Sequence, residues 1–201
     1  MRQLLIILSL TIFLSSCELF NTRDPEPPDG SREGFQPPTS AKIVIDNFIN
    51  AIENKNSSNY RACFADTTQG DPRDYYFISS SDAYSQYPTT FDEWTAFSEE
   101  QFFQSMLSIL SDDSSPKLTL KNRSTFDVLL KDSAVLITEY QLEIEHNSEG
   151  LENLFGGTMQ FTLYPNENNF WSIQRWSDNK QTSYDETEAT WSILKARMIN
   201  K

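Results

Sequence analysis

Few residues in this chain are of a type that does covalent or acid–base chemistry, so their spacing is read first. There is one histidine, His146, and there are two cysteines, Cys17 and Cys63. One imidazole and one free thiol do not make a zinc site of the usual kind. A nucleophilic thiol needs a base beside it, and His146 is the one histidine that could serve. Cys63 is therefore read as a core residue. His146 ends a strand pattern beside "NSEG", where solvent is expected, so a surface-loop histidine is weighed against a catalytic base. Gly156-Gly157 stands inside strand pattern and lacks the rest of a phosphate loop. The acid pairs Asp112-Asp113 and Asp185-Glu186 lack calcium-loop spacing and read as a solvated turn and a helix start. No catalytic residue, metal ligand or cofactor is assigned on these grounds.

Cys17 is different, because of what precedes it. Arg2 supplies a basic start, and "LLIILSLTIFL" (Leu4 to Leu14) is apolar apart from Ser9 and Thr11. Spanning a bilayer takes about 20 such residues, so this run fits the apolar core of a secretory signal peptide; a short retained anchor is the alternative. The end of the run, Leu14-Ser15-Ser16-Cys17, resembles the bacterial lipoprotein signal, the lipobox, with Ser16 where Ala or Gly is commoner. The resemblance implies cleavage after Ser16, diacylglycerol on the Cys17 sulfur and an acyl group on the new amino terminus. Residues 1–16 are then the signal peptide and Cys17 the lipidation site. Glu18 follows where the enterobacterial inner-membrane retention signal has Asp, which favours the outer membrane over the inner. With Cys17 lipidated, Cys63 has no disulfide partner. A single myristoyl-length chain binds a membrane only marginally, at about 0.8 kcal/mol per buried CH2, whereas two or three chains anchor it.

The formal charge is −13. Once Arg2 is removed, all 29 acids face 15 bases, a balance of −14. Such a surface repels phosphate backbones, which excludes nucleic acid as a partner. Residues 17–39 carry the lipidated cysteine and a proline-rich, charged stretch ("RDPEPPDG", "QPP") too poor in apolar surface to fold alone. This linker reaches between about 25 Å as a coil and about 70 Å in polyproline form. Residues 40–201 contain the periodic apolar pattern and read as one domain. Its expected partners are the membrane, through the lipid, and a small apolar ligand or an envelope protein.

The elements follow from period and punctuation. Thr39 or Ser40 caps a helix whose apolar face is Val44, Phe48 and Ile52 with Ile45 and Ile49. "NYRACFAD" reads as a short helix turning Tyr60, Cys63 and Phe64 inward, and "YYFIS" as a short strand. Capping boxes are expected at Thr90 with Glu93 and at Ser98 with Gln101, followed by a stripe of Phe102, Phe103, Met106, Leu107 and Leu110. After Pro116 the period becomes two. "AVLITEYQLEIEH" puts Ala134, Leu136, Thr138, Tyr140, Leu142 and Ile144 on one face and Glu139, Gln141, Glu143 and Glu145 on the other, a half-buried antiparallel strand. Asp127 alternates with Phe126 and Val128 and points out. "LFGGTMQFTLY" follows, with a bulge or bend expected at Gly156-Gly157. "FWSIQRWSD" is the last strand, and a bulge near Arg175 would return Trp176 to the face of Trp171 and Ile173. Ser183 and Glu186 offer a capping box for a closing helix lined by Trp191, Leu194 and Met198.

This order, with the aromatic-x-Ile-x-x-Trp-x-Asp pattern of Phe170 to Asp178, resembles the nuclear-transport-factor-2-like, or SnoaL-like, superfamily over residues 40–179. The resemblance implies an α+β, cystatin-like cone: a curved antiparallel sheet wrapped around N-terminal helices. It also implies that any enzyme activity, of the isomerase, cyclase or dehydratase kind on a small hydrophobic carbonyl compound, would work inside the cone. Tyr76, Phe126, Thr138, Tyr140, Met159, Trp171 and Trp176 are the expected pocket-lining residues, with core packing the competing role for both tryptophans. No Asp is assigned to the pocket.

Overall fold

The computed structural model describes residues 34–181 and 189–200. The expected capping box at Ser183 and Glu186, the pair Asp185-Glu186, and the whole segment around Cys17 lie outside the described residues. Residues 35–39 of the expected linker are tied to the domain. The Gln36 amide donates to Asn47 Oδ1 (2.9 Å), Asn47 Nδ2 donates to the Gln36 carbonyl (2.7 Å), and the Trp171 amide donates to the Pro38 carbonyl (2.7 Å).

Helix α1 spans Ala41–Glu53, with Ser40 as N-cap accepting from the Ile43 amide. Its buried face is Val44, Ile45, Phe48, Ile49 and Ile52, as the four-residue spacing predicts. Helix α2 (Ser57–Arg61) brings Tyr60 inward, and Cys63 and Phe64 are buried just after it. Strand β1 (Tyr76–Ile78) leads to α3 (Ser81–Gln86), a helix absent from the sequence reading. Helix α4 spans Ala96–Leu107. Neither expected capping box forms there. Thr95 is the N-cap, and it exchanges hydrogen bonds with Ser98 at the third helical position. Thr90 instead lies in a turn, its amide bonded to the Tyr87 carbonyl.

Strands β2 (Lys117–Leu120), β3 (Val128–Leu129), β4 (Ala134–Glu143), β5 (Leu154–Pro165) and β6 (Trp171–Asn179) complete a curved sheet of order β1-β6-β5-β4-β2, with β3 also on β4. The pairs are antiparallel except β1 with β6, which is parallel. The six even-numbered residues from Ala134 to Ile144 are all buried. Helix α5 (Trp191–Ile199) packs on the same sheet face as α1: Trp176 meets Trp191 at 4.9 Å and Phe48 at 5.7 Å between ring centroids. The architecture is the expected α+β one, a curved, mainly antiparallel sheet with helices in its concavity.

The bulge near Arg175 is present. Thr162 pairs with Arg175 but Leu163 with Ile173, so Gln174 is the extra residue. Trp171, Ile173 and Trp176 are consequently all buried. No bulge stands at Gly156-Gly157: both glycines hold register with Gln141 and Tyr140 on β4. Close approach explains Gly157 instead. A Cβ on it would stand 2.5 Å from the Asn179 carbonyl oxygen and 3.0 Å from the Tyr140 hydroxyl. Gly157→Ala should therefore lower the unfolding free energy by about 1–3 kcal/mol, the usual range for overpacking, as read from urea denaturation. An unchanged midpoint would mean that β5 and β6 separate freely here.

Candidate functional site

Two acids that the sequence reading did not place lie fully buried under α5. The first is Glu99, on the first turn of α4. Its Oε1 accepts from Lys195 Nζ (2.5 Å), the Tyr75 hydroxyl (2.6 Å) and Trp94 Nε1 (2.8 Å), and its Oε2 accepts from the Tyr60 hydroxyl (3.0 Å). Neither partner of this ion pair has any side-chain exposure. Lys195 is also boxed by rings, with Nζ 3.6 Å from the Phe77 centroid and 3.7 Å from that of Trp176. Such cation–π contacts strengthen when desolvated. Burial pushes the Lys195 pKa down to about 8, opposed by the charge and hydrogen bond of Glu99 and then by Asp178. Burial, then the Glu99 charge, pushes the Tyr60 and Tyr75 phenols well up.

The second acid is Asp178, at the end of β6. Its Oδ1 accepts from the Tyr140 hydroxyl (2.7 Å), and its Oδ2 accepts from the Ser192 amide (2.7 Å) and hydroxyl (2.5 Å). The Tyr140 oxygen in turn accepts from the Trp191 amide (2.7 Å). Thr190, the N-cap, accepts from the Ile193 amide. The first three amides of α5, which no helix satisfies internally, thus all find acceptors, two of them on the sheet. A carboxylate is also favoured at a helix N-terminus. Burial raises the Asp178 pKa, against the Ser192 and Tyr140 donors and the Lys195 charge; burial and then Asp178 raise that of Tyr140.

The seven expected pocket-lining residues take different positions among the described residues. Strand β1 turns Phe77 inward and leaves Tyr76 42% exposed. Phe126 is half-buried against the core. Thr138 is buried, and its hydroxyl accepts from the Asn122 amide. Met159 and Trp176 are fully buried core, and Tyr140 is committed to Asp178 and α5. Trp171 alone of the seven borders a surface groove of about 450 Å³, together with Phe35, Pro38, Phe64, Asp71 and Phe170. His146 is a correction. It is buried, not solvated: Nδ1 accepts from the Ser148 amide (3.1 Å), which leaves Nε2 to donate to the Glu152 carbonyl (3.0 Å). Its loop folds back over it. Asp127 points outward as expected and accepts from the Ile137 amide. Cys63 is buried core, with its thiol pKa pushed up by burial. Among the described residues no cluster of metal-ligating side chains occurs.

A signal for the missed acid existed. Glu99 precedes Phe102, Phe103 and Met106 by three, four and seven residues, which puts it on their apolar stripe. Lys195 stands likewise four after Trp191 and three before Met198. A charge on an apolar stripe needs a buried counter-charge.

No family model matches the chain, and no curated protein matches it. Solved structures do. A candidate aromatic ring hydroxylase from Novosphingobium aromaticivorans superposes with a TM-score of 0.51 at 12% identity, over 73% of this chain and 90% of the other. A candidate scytalone dehydratase from the same species gives 0.51 at 9%, over 73% and 87%. A nuclear-transport-factor-2-like superfamily protein from Salmonella enterica gives 0.50 at 15%, over 72% and 92%. The fold is thus the nuclear-transport-factor-2-like one.

Breaking a buried ion pair leaves one charge without compensation, at about 3–5 kcal/mol. Glu99→Gln and Lys195→Met should each destabilise by about that much. The double variant should lose clearly less than the sum; strict additivity in urea denaturation would sink the coupling. Lys195 also sets a pH dependence. Its pKa is about 8 folded and about 10.4 unfolded. Between those values the unfolded chain holds the extra proton, so stability rises with pH. Between pH 8 and 10 the native protein should gain on Lys195→Met by up to about 1.4 kcal/mol per pH unit, with the slope from this group fading out by about pH 7. Parallel stability curves for the two proteins would contradict it.

Proposed function

We propose that this chain is a lipid-anchored envelope lipoprotein, held through Cys17, whose nuclear-transport-factor-2-like domain is a non-catalytic binding module. Its ligand is a small apolar molecule or another envelope protein, and the outer membrane is the favoured location. The anchor rests on Arg2, the apolar run from Leu4 to Leu14 and Leu14-Ser15-Ser16-Cys17. The observation that carries the binding reading is the ring packing beneath α5 among the described residues. Phe48, Phe161, Trp176 and Trp191 pack ring against ring, and Lys195 stands among them on Glu99. A substrate inside the cone would have to displace α5.

One observation favours the second reading, a SnoaL-like enzyme for a small hydrophobic carbonyl compound. Asp178 and Tyr140 form a buried carboxylate–phenol pair, a combination that can exchange a proton with a substrate and stabilise an oxyanion. Asp178 Oδ2 and the Tyr140 oxygen, however, already accept from the first turn of α5, and Asp178 Oδ1 is taken by the Tyr140 hydroxyl. This favours a structural role for the pair.

Metabolic labelling with radioactive palmitate tests the anchor: Cys17→Ala should abolish incorporation and release the protein from the membrane fraction. Label that persists on the variant would refute lipidation at Cys17. Native mass spectrometry of protein extracted from its own membrane tests the binding role, with a co-purifying ligand or partner expected and a bare chain counting against it.

A further inference from the structure

The groove beside Trp171 has features that a generic apolar hollow lacks. Its walls come from two parts of the chain that are fixed before any ligand arrives. One is the segment through Phe35 and Pro38, pinned by Asn47 and by the Trp171 amide. The other is the Phe64–Asp71 stretch, pinned to β6 by the Ala65 amide on the Ile173 carbonyl (2.9 Å). Preorganised walls lower the entropy lost on binding. The volume, about 450 Å³, lies in the usual range for small-molecule sites, roughly 300–1,000 Å³. Phe170 is 43% exposed on the rim although it is a large ring.

The groove is also one-sided in charge. Among the described residues, Asp71 is its only ionisable lining residue. Asp71 is half-buried, and its oxygens accept from the Asp66 amide (3.1 Å) and the Ser172 hydroxyl (3.2 Å). No cationic side chain among the described residues pairs with it. Arg73, two residues on, lies over the Tyr164 ring instead, at 4.5 Å from its centroid. A carboxylate has about four acceptor positions, so two neutral donors leave room for more. The chain as a whole carries −13, which concentrates cations near its surface and repels anions.

We propose that this groove binds a small cationic amphiphile, an amine carrying an aromatic or apolar body, with the body against Trp171 and Phe170 and the ammonium on Asp71. The aromatic faces add a cation–π attraction for the same charge. The proposal rests on the binding-module reading and narrows it to one site and one ligand class.

Two probes of similar shape and opposite charge test it: 2-phenylethylamine and 3-phenylpropanoate, titrated by NMR into the mature protein in non-ionic detergent. The amine should bind at least about tenfold more tightly than the anion, a difference that one close opposite charge supplies. Asp71→Asn should erase the preference while the apolar contacts remain. Phe170→Ala, at an exposed position that does not threaten the fold, should weaken the amine several-fold. Equal binding of the two probes, no binding of either, or a preference that survives Asp71→Asn in a folded variant would each overturn the proposal. Failure here is separable from failure of the binding reading, since native mass spectrometry would still report a ligand held elsewhere.

Discussion

The Glu99–Lys195 pair is the constraint around which the interior is arranged. Two charges with no exposure carry a desolvation penalty of several kcal/mol each. Their attraction compensates only if the remaining hydrogen-bonding positions are also filled. Here they are filled from separate parts of the chain: Tyr60 on α2, Tyr75 just before β1, Trp94 just before α4, and the rings of Phe77 and Trp176 around the ammonium. Each of these must arrive for the pair to be tolerable. The pair therefore selects one arrangement of the helices over others that would bury a similar apolar area. A one-turn slide of α5 would leave Lys195 among rings without its carboxylate.

Asp178 acts on the N-terminus of the same helix. It turns the last residues of β6 into acceptors for the first turn of α5, and Tyr140 extends that surface by one amide. With its N-terminus held by the sheet and its middle held by Glu99, α5 fills the concavity. Among the described residues the concave face beneath α5 is packed with the protein's own rings, while the groove beside Trp171, at the start of β6, opens at the surface next to Phe35 and Pro38.

Much of the fold was legible because it rests on local periodicity. The apolar spacing of α1, the alternation along β4 and the bulge needed to return Trp176 to the inner face all follow from where side chains must point along a helix or a strand. The misassignments have equally physical causes. Thr90, Thr95 and Ser98 carry nearly the same local capping signal, and Thr95 is the one that exchanges bonds with the helix, through Ser98. Gly157 resembles a bend in sequence, yet it is a glycine because the Asn179 carbonyl and the Tyr140 ring come close to it, and neither is a sequence neighbour. His146 looked exposed because its nearest neighbours are polar, but the loop to Glu152 folds back and covers it.

The sequence by itself determined the types of most elements, the inward face of β4 and the burial of Cys63, since these depend on residue type and on periods of two and 3.6. It also carries the whole case for an anchor at Cys17. Only the tertiary structure decided that Glu99, Lys195 and Asp178 would meet partners in the interior and that Asp71 would border the groove while Arg73 lies over the Tyr164 ring. The reason is distance along the chain. Glu99 and Lys195 are 96 residues apart, and Tyr140 and Asp178 are 38 apart. A short-range pattern can mark a charge as misplaced on an apolar stripe, but it cannot name the partner that makes it tolerable.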